Sequence, residues 1–384
     1  MTVRVNKDSF NLREKLSELA VKFGLKGSEL ARAETVQEAR DLVSAGRKNL
    51  VHNGDMRISQ RGTSFTASTE YTLDRWRVSK GGISSLTTTQ SSSGLGIHPK
   101  SLKVECTANG NQVSSTDAWI RYAMEQNDFE SAINYPNTNK SLSLSFWARA
   151  NTAGQYSVGI TSGDFGDRFI HAFTLNANIW EYKTVTIPPA TQWGYTGGFG
   201  LRVYFDLGSG TTYQNSTLNT WIYSGSTYAA SGNTRVSGVN GRTFEVTGVQ
   251  LEVGKNATDF EYRPIGEELA LCERYFQLLS GGDGQIIGTG FIYSATNVYV
   301  VSHFRTTMRT TPTIFSTLSS GARLRVNAGL TDVNTGSNPL LNASISSANA
   351  CFLDSGGYSG LTDGHGCTLR QYLGGGVLGV QAEL

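Results

Sequence analysis

The stretch VTGVQLEVGKNATDFEYRPIGEELALCERYF, residues Val246–Phe276, changes its period in the middle. Phe244 and Val246 have one parity, whereas Val249, Leu251 and Val253 have the other. Side chains two apart on a strand share a face, so the slip at Thr247-Gly248 predicts a β-bulge with glycine in the extra position. After Pro264, Leu269, Cys272, Phe276 and Leu279 recur as one helical stripe, with Leu271, Tyr275 and Leu278 beside it. This spacing predicts a helix over 266–279, apolar over a wide arc and buried on most sides. Glu267 and Glu268 fall in its first turn, where acids complement the helix dipole. Adjacent helical positions point about 100° apart, so these two carboxylates do not jointly flank one bond. Cys272 falls in the apolar stripe with no histidine close in sequence, which predicts an inert, buried thiol. The stretch therefore reads as a joint between two β-rich regions.

On the amino-terminal side of this joint the period is two. In LSLSFWARA, Leu142, Leu144, Phe146 and Ala148 share a face; Lys183–Ile187 alternates in the same way. In FGLRVYFDL, Phe199, Leu201, Val203, Phe205 and Leu207 share one face, and Arg202, Tyr204 and Asp206 the other. Strands with one buried side, separated by Gly/Ser/Thr/Asn-rich loops, predict a β-sandwich of jelly-roll type over 49–263. Beyond the joint, Val298, Val300 and Phe304, then Ile314 and Leu318, then Leu324, Val326, Ala328 and Leu330 predict a smaller β domain. Residues 1–48 differ: Leu12, Leu16, Leu19 and Phe23 form one helical stripe, and Thr35-Val-Gln-Glu38 reads as a capping box. Two such short helices bury no core of their own and need a partner. The expected fold is mainly β: a helical anchor at 1–48, a central jelly roll at 49–263, then a linker helix with a β-rich tip at 264–384.

Composition limits the function. Of 384 residues, 17% are charged, against about 25% in average globular chains. The 44 glycines suit a protein with many turns, and a net charge of +2 gives no strong pull toward nucleic acid or an anionic membrane. MTVRVNKDSFNLREK has no apolar core of signal-peptide length, and no run of about 18 apolar residues occurs, so neither secretion signal nor membrane span is predicted. The four cysteines, Cys106, Cys272, Cys351 and Cys367, lack CxxC spacing, which predicts free thiols made in a reducing cytoplasm.

Candidate chemistry is sparse. Asp363-Gly-His365-Gly-Cys367 holds the parts of a thiol nucleophile, but residues two apart in a glycine loop rarely face each other, so a surface turn is preferred. Asp164-Phe-Gly-Asp167 and Glu125-Gln-Asn-Asp128-Phe-Glu130 are acidic loops without the EF-hand calcium pattern. No nucleophile elbow, P-loop or His-Glu-x-x-His motif occurs, and the sequence predicts no catalytic set, metal or cofactor. Two carboxylates suffice for glycoside hydrolysis, so a polysaccharide depolymerase stays as an alternative. The positive signal is aromatic rings in polar loops: Trp193, Tyr195, Trp221, Tyr223 and Tyr228 lie among Gly, Ser and Thr. Such rings can stack on sugar faces, or can pack in a core or between subunits.

The run NLVHNGDMRISQRGTSF, followed by YTLDRWRV, LSLSFWARA, VTGVQLEVG, DFEYRPIGEELALCERYFQ and finally AEL, resembles phage tail-fibre and related virion structural proteins of marine and cyanobacterial phages. The resemblance implies a module similar to carbohydrate-binding jelly rolls, then a β-rich tip, in a homotrimer located in the virion and made in the host cytoplasm. It implies attachment to tail or adaptor proteins through 1–48, with Leu12, Leu16, Leu19 and Phe23 as anchor, and binding of a host-surface glycan or protein. The matching residues are scaffold: Trp76, Trp147, the Val246–Val253 strand and the Gly266–Phe276 helix. A capsid decoration or fibre protein without receptor role is the runner-up.

Overall fold

The computed structural model describes residues 48–66, 69–81, 86–133, 140–190, 193–195, 197–223, 225–282, 284–318, 323–328, 331–334, 341–373 and 376–384. The helical anchor expected at 1–48, with Leu12, Leu16, Leu19 and Phe23, lies outside them apart from Lys48.

The chain is mainly β. Strands β1 (Ser64–Phe65), β2 (Thr69–Tyr71), β3 (Trp76–Lys80), β4 (Leu86–Leu95), β5 (His98–Cys106) and β6 (Ala118–Glu125) lead into helix α1 (Gln126–Ile133). Then follow β7 (Leu142–Ala150), β8 (Gly154–Ser162), β9 (Arg168–Leu175), β10 (Glu181–Ile187), β11 (Phe199–Asp206), β12 (Gln214–Asn215), β13 (Trp221–Ile222), β14 (Ala229–Ala230) and β15 (Thr243–Val253). Two sheets result, ordered β1-β4-β5-β15-β7-β10 and β13-β9-β8-β11-β6-β3-β2. Alternation turns Leu102, Leu144, Phe146 and Val246 of the first sheet toward Ile120, Tyr122, Val158, Ile160, Val203 and Phe205 of the second, in one continuous core. Phe146 meets Phe205 edge-on at 5.0 Å across the two sheets. Full burial of each such side chain stabilises the fold by roughly 1.5–3 kcal/mol.

The bulge read at Thr247-Gly248 is present: β15 pairs Thr247 with Trp147 and then Gln250 with Ser145, a shifted register. Gly248 has φ 60°, and a Cβ there would stand 2.6 Å from the His98 ring, so glycine is required twice over. The extra residue lets Val246 and Val249 both reach the core despite opposite parity. A second bulge corrects the reading of β11. Phe199 pairs with Glu125 and Leu201 with Met124, so Gly200 is the extra residue and Phe199 turns to the Arg202 face.

The joint also differs from expectation. Helix α2 (Ile265–Glu273) stops before Leu279, and Phe276–Ser280 is strand β16. The run FQLLS fits either period over so few residues; pairing with Leu378–Gln381 makes it a strand. Nor is α2 buried on most sides: Glu268, Cys272 and Glu273 are buried, while Ile265 is exposed. Cys272 is fully buried, and desolvation, then the nearby Asp74 and Glu268 charges, push its thiol well above the ordinary value.

Beyond β16 come β17 (Ile286–Ser294), β18 (Asn297–His303), β19 (Thr313–Ser316), β20 (Arg323–Ala328), β21 (Thr331–Asn334), β22 (Leu341–Ser346), β23 (Ala350–Gly356), β24 (Gly366–Leu373) and β25 (Leu378–Gln381). Their sheets, β16-β25-β19 and β21-β20-β24-β17-β18-β23-β22, enclose a separate core around Val298, Val300, Val326, Leu353, Leu369 and Leu378.

Ion pairs fasten this second unit to the sandwich. Arg61 Nη2 donates to Glu383 Oε1 at 2.9 Å and Arg75 Nη1 to Oε2 at 2.8 Å. The Arg75 guanidinium also covers the Tyr275 ring at 3.3 Å and Arg61 the Phe276 ring at 3.8 Å. Arg274 grips Glu125 through Nε and Nη2 at 2.7 and 2.9 Å, and the Tyr275 hydroxyl donates to the same carboxylate at 2.6 Å. Burial pushes the Glu125 carboxyl up, but Arg274 and Tyr275 outweigh it and hold it below the ordinary range.

Candidate functional site

The second sandwich sheet has a face turned away from the core. On β6 it carries Trp119 and Arg121, because Ile120 and Tyr122 point inward; on β11 it carries Arg202 and Tyr204 for the same reason. Register sets these neighbours: Tyr204 pairs with Arg121 and Asp206 with Trp119. Three segments fold over this face: the turn at Asp164–Gly166, the turn at Thr211–Tyr213 and the loop reaching Tyr228. Between them lies a cavity of about 590 Å³, walled by Asp117, Trp119, Arg121, Arg168, Tyr204 and Tyr228, with Phe165 and Tyr223 at its exposed rim.

Local sequence explains the fit of each segment. Gly159 on β8 lets the Tyr228 backbone lie against the sheet, since a Cβ there would stand 2.1 Å from the Tyr228 carbonyl oxygen. In the first turn Asp164 Oδ1 accepts from Ser162 Oγ at 2.6 Å and from the Gly166 amide at 2.8 Å. Burial raises the Asp164 carboxyl, but these bonds and the Arg168 charge outweigh it and hold it below the ordinary range. Phe165 takes φ 63°, an uncommon conformation for a bulky residue and one that costs of order 1–3 kcal/mol. That turn lays its ring on the Arg202 guanidinium at 3.9 Å, and Phe199 covers the same group at 3.9 Å.

The floor is a stacked aromatic set. Tyr204 and Tyr228 stack at 4.7 Å, Tyr213 follows at 5.4 Å, and Trp119 stands edge-on to Tyr204 at 5.5 Å. Asp117 Oδ1 accepts from the Trp119 indole at 2.7 Å and from the Tyr228 hydroxyl, which also meets Ser209 Oγ at 2.8 Å. Burial, then the Asp117 charge, raises the Tyr228 hydroxyl far above its usual value, so it stays a neutral donor.

Three arginines complete the site, all more than nine-tenths buried: Arg121, Arg168 and Arg202. Among the described residues none forms an ion pair. Arg121 Nε and Nη2, Arg168 Nε and Nη1, and Arg202 Nε have no hydrogen-bond partner. Desolvation lowers Arg168 and takes Arg202 down to about 10, so both remain charged at neutral pH.

The five aromatics singled out in the sequence divide. Trp193 is buried in the sandwich core, edge-on to Phe129 at 4.8 Å and to Trp221 at 5.1 Å. Trp221 and Tyr195 are half-buried against that core, and the Trp221 indole donates to the Pro188 carbonyl at 2.9 Å. Only Tyr223 and Tyr228 line the cavity. Glycine and threonine surround Trp193 along the chain, whereas in space it meets Phe129 and Trp221. Trp119, Arg121, Arg168 and Tyr204 were not singled out as site residues; the Arg202/Tyr204 alternation was the available signal.

Asp363 and His365 lie in an exposed turn whose backbone bonds to Ile292, with Cys367 buried on β24. Among the described residues no three His, Cys, Asp or Glu side chains gather as metal ligands, and no helix is long and apolar enough to cross a membrane.

No family model matches the chain, and no curated protein matches it in sequence. Solved structures that resemble it include the enzymatically active domain of tailspike protein 4 of bacteriophage CBA120, 12% identical over 54% of this chain, TM-score 0.29. The match spans 21% of that tailspike chain. A family 16 carbohydrate-binding module matches at 12% identity over 45% of this chain and 89% of its own, TM-score 0.22. A cyclase from Fischerella sp. TAU matches at 13% identity over 56% of this chain and 100% of its own, TM-score 0.32. No residue of this chain takes a role from superpositions this loose.

Proposed function

We propose that this chain is a non-enzymatic structural protein of a phage tail fibre or spike, and that its sandwich binds a glycan on the host surface. The observation that carries the binding half is the aromatic-floored cavity of about 590 Å³ on the second sheet. Ligand sites span about 300–1,000 Å³ and combine apolar walls with a few fixed polar groups. Phe165 and Tyr223 stand exposed at the rim, where a sugar ring can stack on them. The virion half, with the homotrimer and the 1–48 anchor, rests on the motif order that runs from the Asn49 region to Ala382-Glu383-Leu384. Seating of β15 between β5 and β7, strands distant from it in the chain, supports the jelly-roll reading.

Binding is favoured over hydrolysis because both cavity carboxylates are engaged locally: Asp117 by Trp119 and Tyr228, Asp164 by Ser162 and Gly166. A carboxyl held below the ordinary range, as Asp164 is, suits no general acid at neutral pH. The test is a glycan array with the full chain, alongside native mass measurement and adsorption to host cells. A trimer that binds a surface glycan, and loses at least tenfold with Tyr223→Ala, supports the reading. A monomer that binds neither glycan nor cells overturns it, and glycan shortening abolished by Asp117→Asn or Asp164→Asn replaces it with a depolymerase.

A further inference from the structure

We infer that the ligand of this cavity is an acidic saccharide, one that presents a carboxylate or sulfate to Arg121 and Arg168. The inference rests on the glycan reading of the site and names the class of sugar.

The hydrogen-bonding capacity of the walls is lopsided. Its acceptors are taken through one oxygen of each carboxylate: Asp117 Oδ1 holds Trp119 and Tyr228, and Asp164 Oδ1 holds Ser162 and Gly166. Its donors are not: Arg121 offers Nε and Nη2, Arg168 offers Nε and Nη1, and both side chains are buried. Arg168 Nη2 donates to the Phe165 carbonyl and leaves the other two nitrogens unbonded. Nε and Nη2 of Arg121 form a planar fork that matches carboxylate or sulfate oxygens, whereas Arg168 offers Nε and Nη1 as separate donors; such charge-assisted bonds are about twice as strong as neutral ones.

Aromatic packing fixes the Arg121 fork. Arg121 lies 5.0 Å over Trp119 and 5.9 Å from the Phe199 ring centre. Behind it Arg202, clamped between Phe165 and Phe199, adds a third cation to the same face. None of the three forms an ion pair among the described residues, though the charges of Asp164 and Asp167 act on Arg168 and that of Asp164 on Arg202, and a buried cation without a paired anion is costly. The depression of Arg168 and Arg202 below their ordinary range reflects that cost. A neutral sugar leaves it unpaid; an anionic one removes it.

The test uses the full chain on an array of acidic bacterial polysaccharides, each paired with its carboxyl-reduced or desulfated form. An acidic polymer is expected to bind, its neutralised partner to bind at least tenfold more weakly, and raising salt to reduce the difference. Arg121→Met and Arg168→Met are each expected to cost tenfold or more for the acidic form and under threefold for the neutral one. Equal binding of both forms, or binding of neutral glycans alone, overturns this inference and leaves the glycan reading standing. Binding to no glycan overturns both. Because the paired array needs only the wild-type protein, a variant that does not fold leaves the outcome decidable.

Discussion

The joint and the cavity are built from the same two side-chain types and end in opposite electrostatic states. At the joint, the buried Arg61 and Arg75 lie on rings and also reach Glu383, the buried Arg263 reaches Glu268, and the half-exposed Arg274 reaches Glu125. At the cavity, Arg121 and Arg202 lie on rings and Arg168 caps a turn, with no ion pair among the described residues. Unbonded nitrogens alone do not separate the two regions, since Arg61 Nε and Arg75 Nε also lack partners. The paired carboxylate separates them, since Asp164 and Asp167 act on Arg168 without forming an ion pair. A compensated buried cation fastens one part of a fold to another; an uncompensated one in a cavity is available to a ligand.

Removing the counter-charge at the joint is the harshest way to break this contrast. Glu383→Ala leaves Arg61 and Arg75 buried without it and is expected to cost about 3–5 kcal/mol in denaturant unfolding. A loss under 1 kcal/mol means that the joint is no better compensated than the cavity. Glu125→Gln comes next, at about 1.5–3 kcal/mol for lost bonds to a charged acceptor. Because the fold holds the Glu125 carboxyl below 4.5, its contribution is present above that pH and fades as pH falls through the lower folded value. The wild type should therefore lose stability on acidification more steeply than Glu125→Gln, and parallel acid limbs contradict the assignment. Cys272→Ser buries a hydroxyl at a fully buried position and should cost roughly 1–2 kcal/mol, with glycan binding intact in the folded fraction. The smallest effect is expected at Arg121→Met, within about 1 kcal/mol in stability, because an apolar group of similar volume replaces a cation that had no counter-ion. A large destabilisation there assigns Arg121 to the scaffold.

Local signals in the sequence were legible and long-range ones were not. The phase slip from Val246 to Val249 announced the bulge, since two parities in one strand have few other causes. The inert Cys272 followed from its place in an apolar stripe. FQLLS was misassigned because five residues satisfy both periods, and its partner Leu378–Gln381 lies about a hundred positions away. Phe199 was placed on the wrong face because Gly200 carries no mark of a bulge other than being glycine. The cavity was hardest to foresee. Arg121 and Arg202 alternate with core residues like any solvent-facing charge, and only the turns from Asp164 and Tyr213 and the loop to Tyr228 bury them. Nothing local in VYFDL or AWIRYAME records that covering.

The clasp on Glu383 has a consequence for synthesis. Its partner Arg75 precedes it by 308 positions, among the most distant contacts in the chain. While the ribosome is still making the second unit, the sandwich holds Arg75 without its carboxylate and Arg61 with Asp74 alone, 3.8 Å away. Distant contacts form slowly, and incompletely made chains expose surfaces that aggregate. The sandwich thus reaches its full stability only after residue 383 has emerged, and a message truncated within the second unit yields a product with Arg75 stranded and Arg61 weakly paired, poorly fitted to survive proteolysis.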